Sequence, residues 1–178
     1  MWGAQYYPYT RPGQLLTSGG LGTMGYSIPA SLGAQFAQTD PVGVFCGDGG
    51  FQMTMAELAT IAQENIKINI AVINNGYLGM VRQWQEFFYE RRYAATPLLS
   101  PDFAKLAECF GLSGATIKAR ADVEPASNKA RSDERAVVMD FHVEQEDNVY
   151  HMLTEGADLN KMIRRPSLAP IVETAEDE

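Results

Sequence analysis

Two short segments hold the residues from which chemistry can be built. Gly47-Asp48-Gly49-Gly50 follows the apolar run Val42-Gly43-Val44-Phe45-Cys46, and Asn74-Asn75-Gly76 follows the β-branched run Ile68-Asn69-Ile70-Ala71-Val72-Ile73. A carboxylate, a side-chain amide oxygen and a backbone carbonyl make a hard oxygen set suited to Mg²⁺. That ion keeps few protein ligands and completes its octahedron with phosphate oxygens and water. Gly49 and Gly50 let backbone N–H groups approach a phosphate at the head of a following helix. Together the two segments read as a Mg²⁺-bridged diphosphate site centred on Asp48 and Asn75. Either motif alone is a common turn signal; the weight lies in their conjunction at two strand ends. No G-x-x-x-x-G-K-[ST] occurs, which excludes a P-loop, and Ser18-Gly19-Gly20-Leu21-Gly22 lacks the G-x-G-x-x-G spacing of a dinucleotide fingerprint.

Bringing Asp48 beside Asn75 requires adjacent parallel strands. Twenty-four residues separate the Gly-Asp-Gly from the Asn pair, enough for one helix and one returning strand. In open α/β sheets, ligands bind outside the carboxyl ends of the strands. The flanking pattern supports such a sheet. Leu15-Leu16-Thr17 is a short apolar run, and Ile28–Phe36 reads as a small-residue helix with Pro29 in its first turn. The runs 42–46 and 68–73 read as buried strands. Helical spacing is expected over Thr54–Glu64 and Leu78–Arg92. Another helix is expected from Ser100 (as N-cap) and Pro101 through Phe110, stopping at Gly111. Ala115-Thr116-Ile117 reads as a strand, Asp122–Arg135 as a surface helix and Ala136–Phe141 as a last strand. This alternation predicts an α/β fold: an open, mostly parallel sheet with helices on both faces. The alternation fades after about Asn148, so residues 1–147 are expected to form the binding domain and 148–178 a C-terminal tail. The last eight residues carry four acids and no base, as in a solvated or partner-docked end.

Composition narrows the classes. The 178 residues suit one globular core, and a net charge of −8 supplies no basic face for nucleic acid. No apolar stretch approaches the 18 residues of a membrane span, and the N-terminus lacks the regions of a secretory signal. Cys46 and Cys109 lie 63 residues apart, which suggests reduced, buried thiols in a cytoplasmic protein. With only His142 and His151, a histidine-rich metal site is excluded, and both are expected to be structural or exposed.

The Gly-Asp-Gly and Asn-Asn spacing is the pattern of thiamine-diphosphate enzymes. The surrounding text resembles the C-terminal, diphosphate-binding domain of the acetolactate (acetohydroxyacid) synthase large subunit. The resemblance runs through Leu16–Gly25, Gly47–Met53, Glu57–Thr60, Asn74–Trp84 and Pro101–Ala107, and returns at Met139–Met162; Lys118–Arg135 is generic. It implies a thiamine-diphosphate-binding fold with Asp48, Asn75 and the Tyr77 carbonyl as Mg²⁺ ligands. It further implies that Gly47, Gly49 and Gly50 meet the diphosphate. Gly22 would offer its carbonyl to the 4′-amino group, beside Thr23, and Met24 would support the bent cofactor. Met80, Val81, Arg82 and Trp84 would line the pocket for the acceptor 2-ketoacid.

The implied activity is that of a transferase. It joins a hydroxyethyl unit from pyruvate, carried on thiamine diphosphate, to a second 2-ketoacid in branched-chain amino-acid biosynthesis. No catalytic residue is assignable here. The family's activating glutamate belongs to a separate pyrimidine-binding domain, and its Gly-Gln-His-Gln segment would precede Met1-Trp2. The chain is therefore expected to be incomplete alone. Its expected partners are that pyrimidine-binding domain or subunit, further copies in a homo-oligomer, and a regulatory subunit. FAD, where the full enzyme carries it, would be held mainly elsewhere. The expected location is the cytoplasm, or the plastid in a plant or alga. The rival readings are another thiamine-diphosphate enzyme (pyruvate oxidase, glyoxylate carboligase or decarboxylase) and a non-catalytic truncated domain.

Overall fold

Four apolar runs become strands because their β-branched residues bury well on a pleated surface. In the computed structural model, which describes residues 1–166, they are β1 (Val42–Gly47), β2 (Ile68–Asn74), β3 (Ser113–Ile117) and β4 (Val137–His142). All three pairings are parallel, in the order β1-β2-β4-β3. Register matters most at the carboxyl ends. Gly47 pairs with Ile73 and Asn74 with His142, so Asp48 leaves the sheet level with Asn74, one residue before Asn75.

Alternate strand residues feed two cores, as a period of two requires. Ile68, Ile70 and Val72 of β2 and Val138 of β4 point into the larger core. It is covered by α2 (Ser27–Ala37), α3 (Asp48–Thr54), α4 (Leu58–Gln63) and α6 (Phe103–Cys109). Phe51 and Phe103 meet edge-on at its centre, with ring centroids 5.0 Å apart. Val137 and Met139 of β4 point the other way, with Ile117, into a smaller core closed by α7 (Val123–Ser132). Helices thus cover both faces, as the sequence pattern predicts. The remaining helices are α1 (Trp2–Tyr6) and α5 (Gly79–Phe88).

Several boundaries differ from expectation. Leu15–Thr17 lies in irregular backbone. The helix expected over 54–64 begins instead at Asp48 and breaks at Thr54 (φ −132°, ψ 20°); a short 3₁₀ turn (Met55–Glu57) then leads into α4. The Thr54 hydroxyl donates to the Gly25 carbonyl (3.0 Å), which ties the break to the preceding loop. The Leu78–Arg92 helix stops at Phe88 because Glu90 and Arg91 adopt left-handed backbone. Asp102, not Ser100, caps α6, its carboxylate accepting from the Lys105 amide at 3.0 Å. Cys46 is buried as expected, but Cys109, at the end of α6, is exposed. Residues 148–163 fold back on the domain: Asn148 is buried, and Met152 bridges Ile163 in antiparallel fashion. The acidic run 171–178 lies outside the described residues.

Candidate functional site

β1 ends in the extended residue Gly47, and α3 starts at once, so Asp48, Gly49 and Gly50 form its first turn. The amides of a first turn have no intrahelical acceptor and are free for an anion. Asp48 is 1% exposed, and the Ser100 hydroxyl donates to its Oδ2 at 3.2 Å. Burial pushes the Asp48 pKa above the ordinary carboxylate value. The Ser100 hydrogen bond and the nearby amides of Gly49, Asp48 itself and Gly76 pull the other way. Register sets this carboxylate beside the turn that follows β2, since Gly47 pairs with Ile73.

That turn is built by two consecutive asparagines. Asn74 Oδ1 accepts from the Gly76 amide (3.2 Å) and Asn75 Oδ1 from the Tyr77 amide (3.1 Å), each closing an Asx turn. Gly76 sits at φ +69°, which favours glycine. The segment 96–98 then clamps the turn from the side. Leu98 donates to the Gly76 carbonyl and Leu78 to the Thr96 carbonyl, both at 2.8 Å, and Tyr77 bridges Pro97. Among the described residues nothing donates to the Tyr77 carbonyl, so this oxygen is left available between two fixed neighbours. Gly79 lets Asn75 approach: a Cβ there would stand 3.0 Å from Asn75 Nδ2.

A third segment closes over the first turn of α3. The Gly22 amide donates to the Ser18 carbonyl (2.7 Å) and the Thr23 amide to Ser18 Oγ (3.0 Å). The chain so turned carries Met24 over α3. A Cβ on Gly49 would lie 2.8 Å from Leu78 Cδ2, 3.0 Å from Leu98 Cδ1 and 3.3 Å from Met24 Cε. The structure therefore gathers Met24, Asp48, Gly49, Gly76 and Tyr77 in one place. Ser100, Leu78 and Leu98 belong to this site but escaped the sequence analysis. Asp102 provides the helix cap expected of Ser100, which leaves the Ser100 hydroxyl free to donate to Asp48.

The residues of α5 divide between two faces. Val81 and Trp84, spaced i and i+3, are exposed, and Trp84 meets Phe88 edge-on at 5.3 Å. Met80 is half-buried. Arg82 does not join the face of Val81 and Trp84, contrary to its expected place in a substrate pocket. It is 2% exposed and turns inward, because its guanidinium pairs with Glu86 (3.2 Å) and Asn148 (3.0 Å). Beyond Asn75, the ends of β2, β4 and β3 bound an open groove of about 800 Å³ that includes Ser100, Lys118, Asp140 and His142. There Asp140 accepts from Asn74 (3.0 Å) and lies 3.2 Å from His142 Nε2.

A parallel α/β sheet with a buried carboxylate at one strand end and an open carbonyl in a glycine turn at the next defines a ligand-binding domain of the open-sheet class. More narrowly, the chain belongs to the family of thiamine pyrophosphate enzymes, C-terminal TPP binding domain, which its residues 1–141 match. It is 45% identical to the acetolactate synthase of Mycobacterium leprae over 96% of this chain and 28% of that protein. It is 47% identical to the acetolactate synthase large subunit of Corynebacterium glutamicum, over 88% and 26% respectively. With the acetolactate synthase isozyme 2 large subunit of Escherichia coli it shares 38% identity, over 94% and 31%. The chain thus spans less than a third of each relative. Among solved structures it resembles the thiamine diphosphate-dependent 4-hydroxybenzoylformate decarboxylase of Rhodococcus jostii RHA1. There the TM-score is 0.65 at 25% identity, covering 70% of this chain and 24% of that one.

Proposed function

We propose that this chain is the diphosphate-binding part of an acetolactate synthase and holds thiamine diphosphate through Mg²⁺. The observation that carries this is the placement of Asp48 at the end of β1 within reach of the Asn75–Tyr77 turn at the end of β2. The donor set fits the group: one carboxylate, one amide oxygen and the unbonded Tyr77 carbonyl are hard oxygens suited to Mg²⁺. Glycine at position 49 fits as well, since Leu78, Leu98 and Met24 pack directly against the first turn of α3 and leave no room for a side chain there.

In this reading Asp48, Asn75 and the Tyr77 carbonyl hold the metal, while the amides of Gly49 and Gly50 meet the diphosphate. Gly22, Thr23 and Met24 support the organic part of the cofactor. Met80, Val81 and Trp84 face the acceptor 2-ketoacid. When bound, the cofactor supplies the chemistry that decarboxylates pyruvate and joins the two-carbon unit to pyruvate or 2-ketobutyrate. The glutamate that activates it comes from a pyrimidine-binding domain or subunit, so this chain alone turns nothing over. A regulatory subunit is a further partner, FAD, where the full enzyme carries it, is held mainly outside this chain, and the setting is the cytoplasm, or the plastid in a plant or alga. The names of the relatives and the Asn74–Trp84 block favour acetolactate synthase over other thiamine-diphosphate enzymes.

Calorimetric titration with thiamine diphosphate tests the site. Binding should require Mg²⁺ and vanish in Asp48→Ala while the circular dichroism spectrum stays unchanged. Equal affinity in the variant would sink the assignment.

A further inference from the structure

Arg82 is the largest side chain that the core buries completely, yet the metal–diphosphate site makes no direct use of it. A guanidinium out of water is costly unless its charge is paired and its donors are met. Arg82 achieves this with groups far along the chain. Its Nη1 lies 3.2 Å from Glu86 Oε2, its Nη2 donates to Asn148 Oδ1 at 3.0 Å, and Asn148 Nδ2 donates back to Glu86 Oε2 at 3.0 Å. The three side chains close a triangle. Beside it, Gln83 exchanges two hydrogen bonds with Val149, donating to its carbonyl (2.9 Å) and accepting from its amide (2.7 Å). Residues 148–149 are therefore strapped to the inner side of α5 as one strand is held by another.

The same guanidinium reaches the metal turn. Its carbon lies 5.9 Å from the centroid of the Tyr77 ring and 5.8 Å from that of Tyr93, within cation–π range. Arg82 Nη1 also donates to the Tyr93 hydroxyl at 3.4 Å, while Nε finds no acceptor among the described residues. Tyr77 is thus anchored twice. Asn75 fixes its amide, and Arg82 fixes its ring. The Tyr77 carbonyl shares its peptide plane with the Leu78 amide, which the Thr96 carbonyl holds at 2.8 Å; the anchors on the Tyr77 amide and ring hold the residue against that plane.

We infer that Arg82 is a positioning residue that couples the 148–149 strap to the Tyr77 carbonyl. The affinity of the metal–diphosphate site then depends on a segment that never touches it. This rests on the Mg²⁺–thiamine diphosphate reading of Asp48, Asn75 and Tyr77. The strap is part of the site's construction rather than a detachable tail.

The test uses the full chain and reads two quantities: the Mg²⁺-dependent affinity for thiamine diphosphate by calorimetry, and amide exchange at residues 76–79. Arg82→Met removes the cation but keeps an unbranched side chain and leaves Asn148 bonded to Glu86. Asn148→Ala keeps the cation and its Glu86 partner but cuts the link between Arg82 and the strap, leaving the Gln83–Val149 bonds in place. Both should weaken binding by roughly 5–150-fold, the ordinary range of coupling between sites, and both should speed exchange at 76–79. The double variant should be little weaker than either single, because both act on one path. Arg82→Lys, which keeps the charge but not the fork, should fall between wild type and Arg82→Met.

A purely structural role would lower the melting temperature of the variants and leave affinity and 76–79 exchange unchanged; that result overturns the inference. If Arg82→Met does not fold, Asn148→Ala decides. Binding that is lost in Asp48→Ala but intact in the Arg82 and Asn148 variants rejects the coupling and spares the metal site. Absence of Mg²⁺-dependent binding in the wild-type chain rejects both.

Discussion

Replacing Gly49 by alanine adds one methyl group where the structure has no room. The new Cβ would stand 2.8 Å from Leu78 Cδ2, 3.0 Å from Leu98 Cδ1 and 3.3 Å from Met24 Cε, against an ordinary carbon contact of about 3.5–4.0 Å. All three neighbours are the ends of flexible side chains, so they can turn aside by up to roughly 1 Å without moving the backbone. Overpacking costs about 1–3 kcal/mol, and this relief puts Gly49→Ala near the lower end.

Gly114→Ala is the informative contrast. Its Cβ would run into the backbone of Ala104 on α6, 2.7 Å from both the carbonyl carbon and Cα. Backbone cannot rotate away, so α6 must shift and the cost should reach about 3 kcal/mol or more. The effects on cofactor binding should rank the other way. At Gly49 the methyl displaces Leu78, Leu98 and Met24, which pack against the first turn of α3, whereas Gly114 lies on β3, away from the Asp48 turn. Urea unfolding measures the first ranking, and titration with Mg²⁺ and thiamine diphosphate measures the second. If Gly49→Ala is the less stable variant, or binds the cofactor like wild type, the packing argument fails.

Other consequences follow from burial and exposure. Burial raises the Asp48 pKa above 3.8, so the ionised carboxylate opposes folding; that penalty is absent below the unfolded pKa and is complete once pH exceeds the folded one. Without Mg²⁺, Asp48→Asn should therefore melt higher than wild type at pH 7, with the gap closing as pH falls toward 3.8; a gap that widens in acid contradicts the sign. Burial, with the Asp48 charge adding to it, pushes the Cys46 thiol up to about 12, whereas Cys109 is exposed. The native chain should accordingly take up one equivalent of a maleimide and the denatured chain two; rapid native labelling of both would refute this. Trp84→Leu, in an enzyme carrying this domain, should lower the ratio of acetohydroxybutyrate to acetolactate, because one methyl in an apolar pocket is worth roughly 10–200-fold. An unaltered product ratio would return Trp84 to a packing role.

The sheet was legible because its central strand β2 is a β-branched run, and the conjunction of Gly-Asp-Gly and Asn-Asn-Gly at two strand ends outweighs the turn reading each has alone. Asp48 and Asn75 could be brought together on the expectation that consecutive parallel strands lie side by side, which holds for β1 and β2 but not for β2 and β3. Where α3 breaks was not legible, because the break at Thr54 accompanies a hydroxyl bond to Gly25, 29 residues away. Ser100-Pro101-Asp102 offers two good caps within three residues, and only the fold shows that Ser100 is engaged by Asp48. Arg82, which the resemblance places in the acceptor pocket, and Gln83 are polar residues on a helix, and nothing in their local sequence marks them as buried. They are buried because Asn148 and Val149, 66 residues on, supply their partners. No local period carries that information.

The central claim concerns where a metal sits, and paramagnetic broadening tests it most directly. With Mn²⁺ in place of Mg²⁺ and thiamine diphosphate present, amide resonances of residues 48–50 and 75–78 should broaden first, and Asp48→Ala should abolish the effect. The chain offers other acidic places, including Asp102, Asp122 and Asp140 along the neighbouring groove and the run 171–178. Broadening centred on any of these, with residues 48–50 and 75–78 left sharp, would contradict the account.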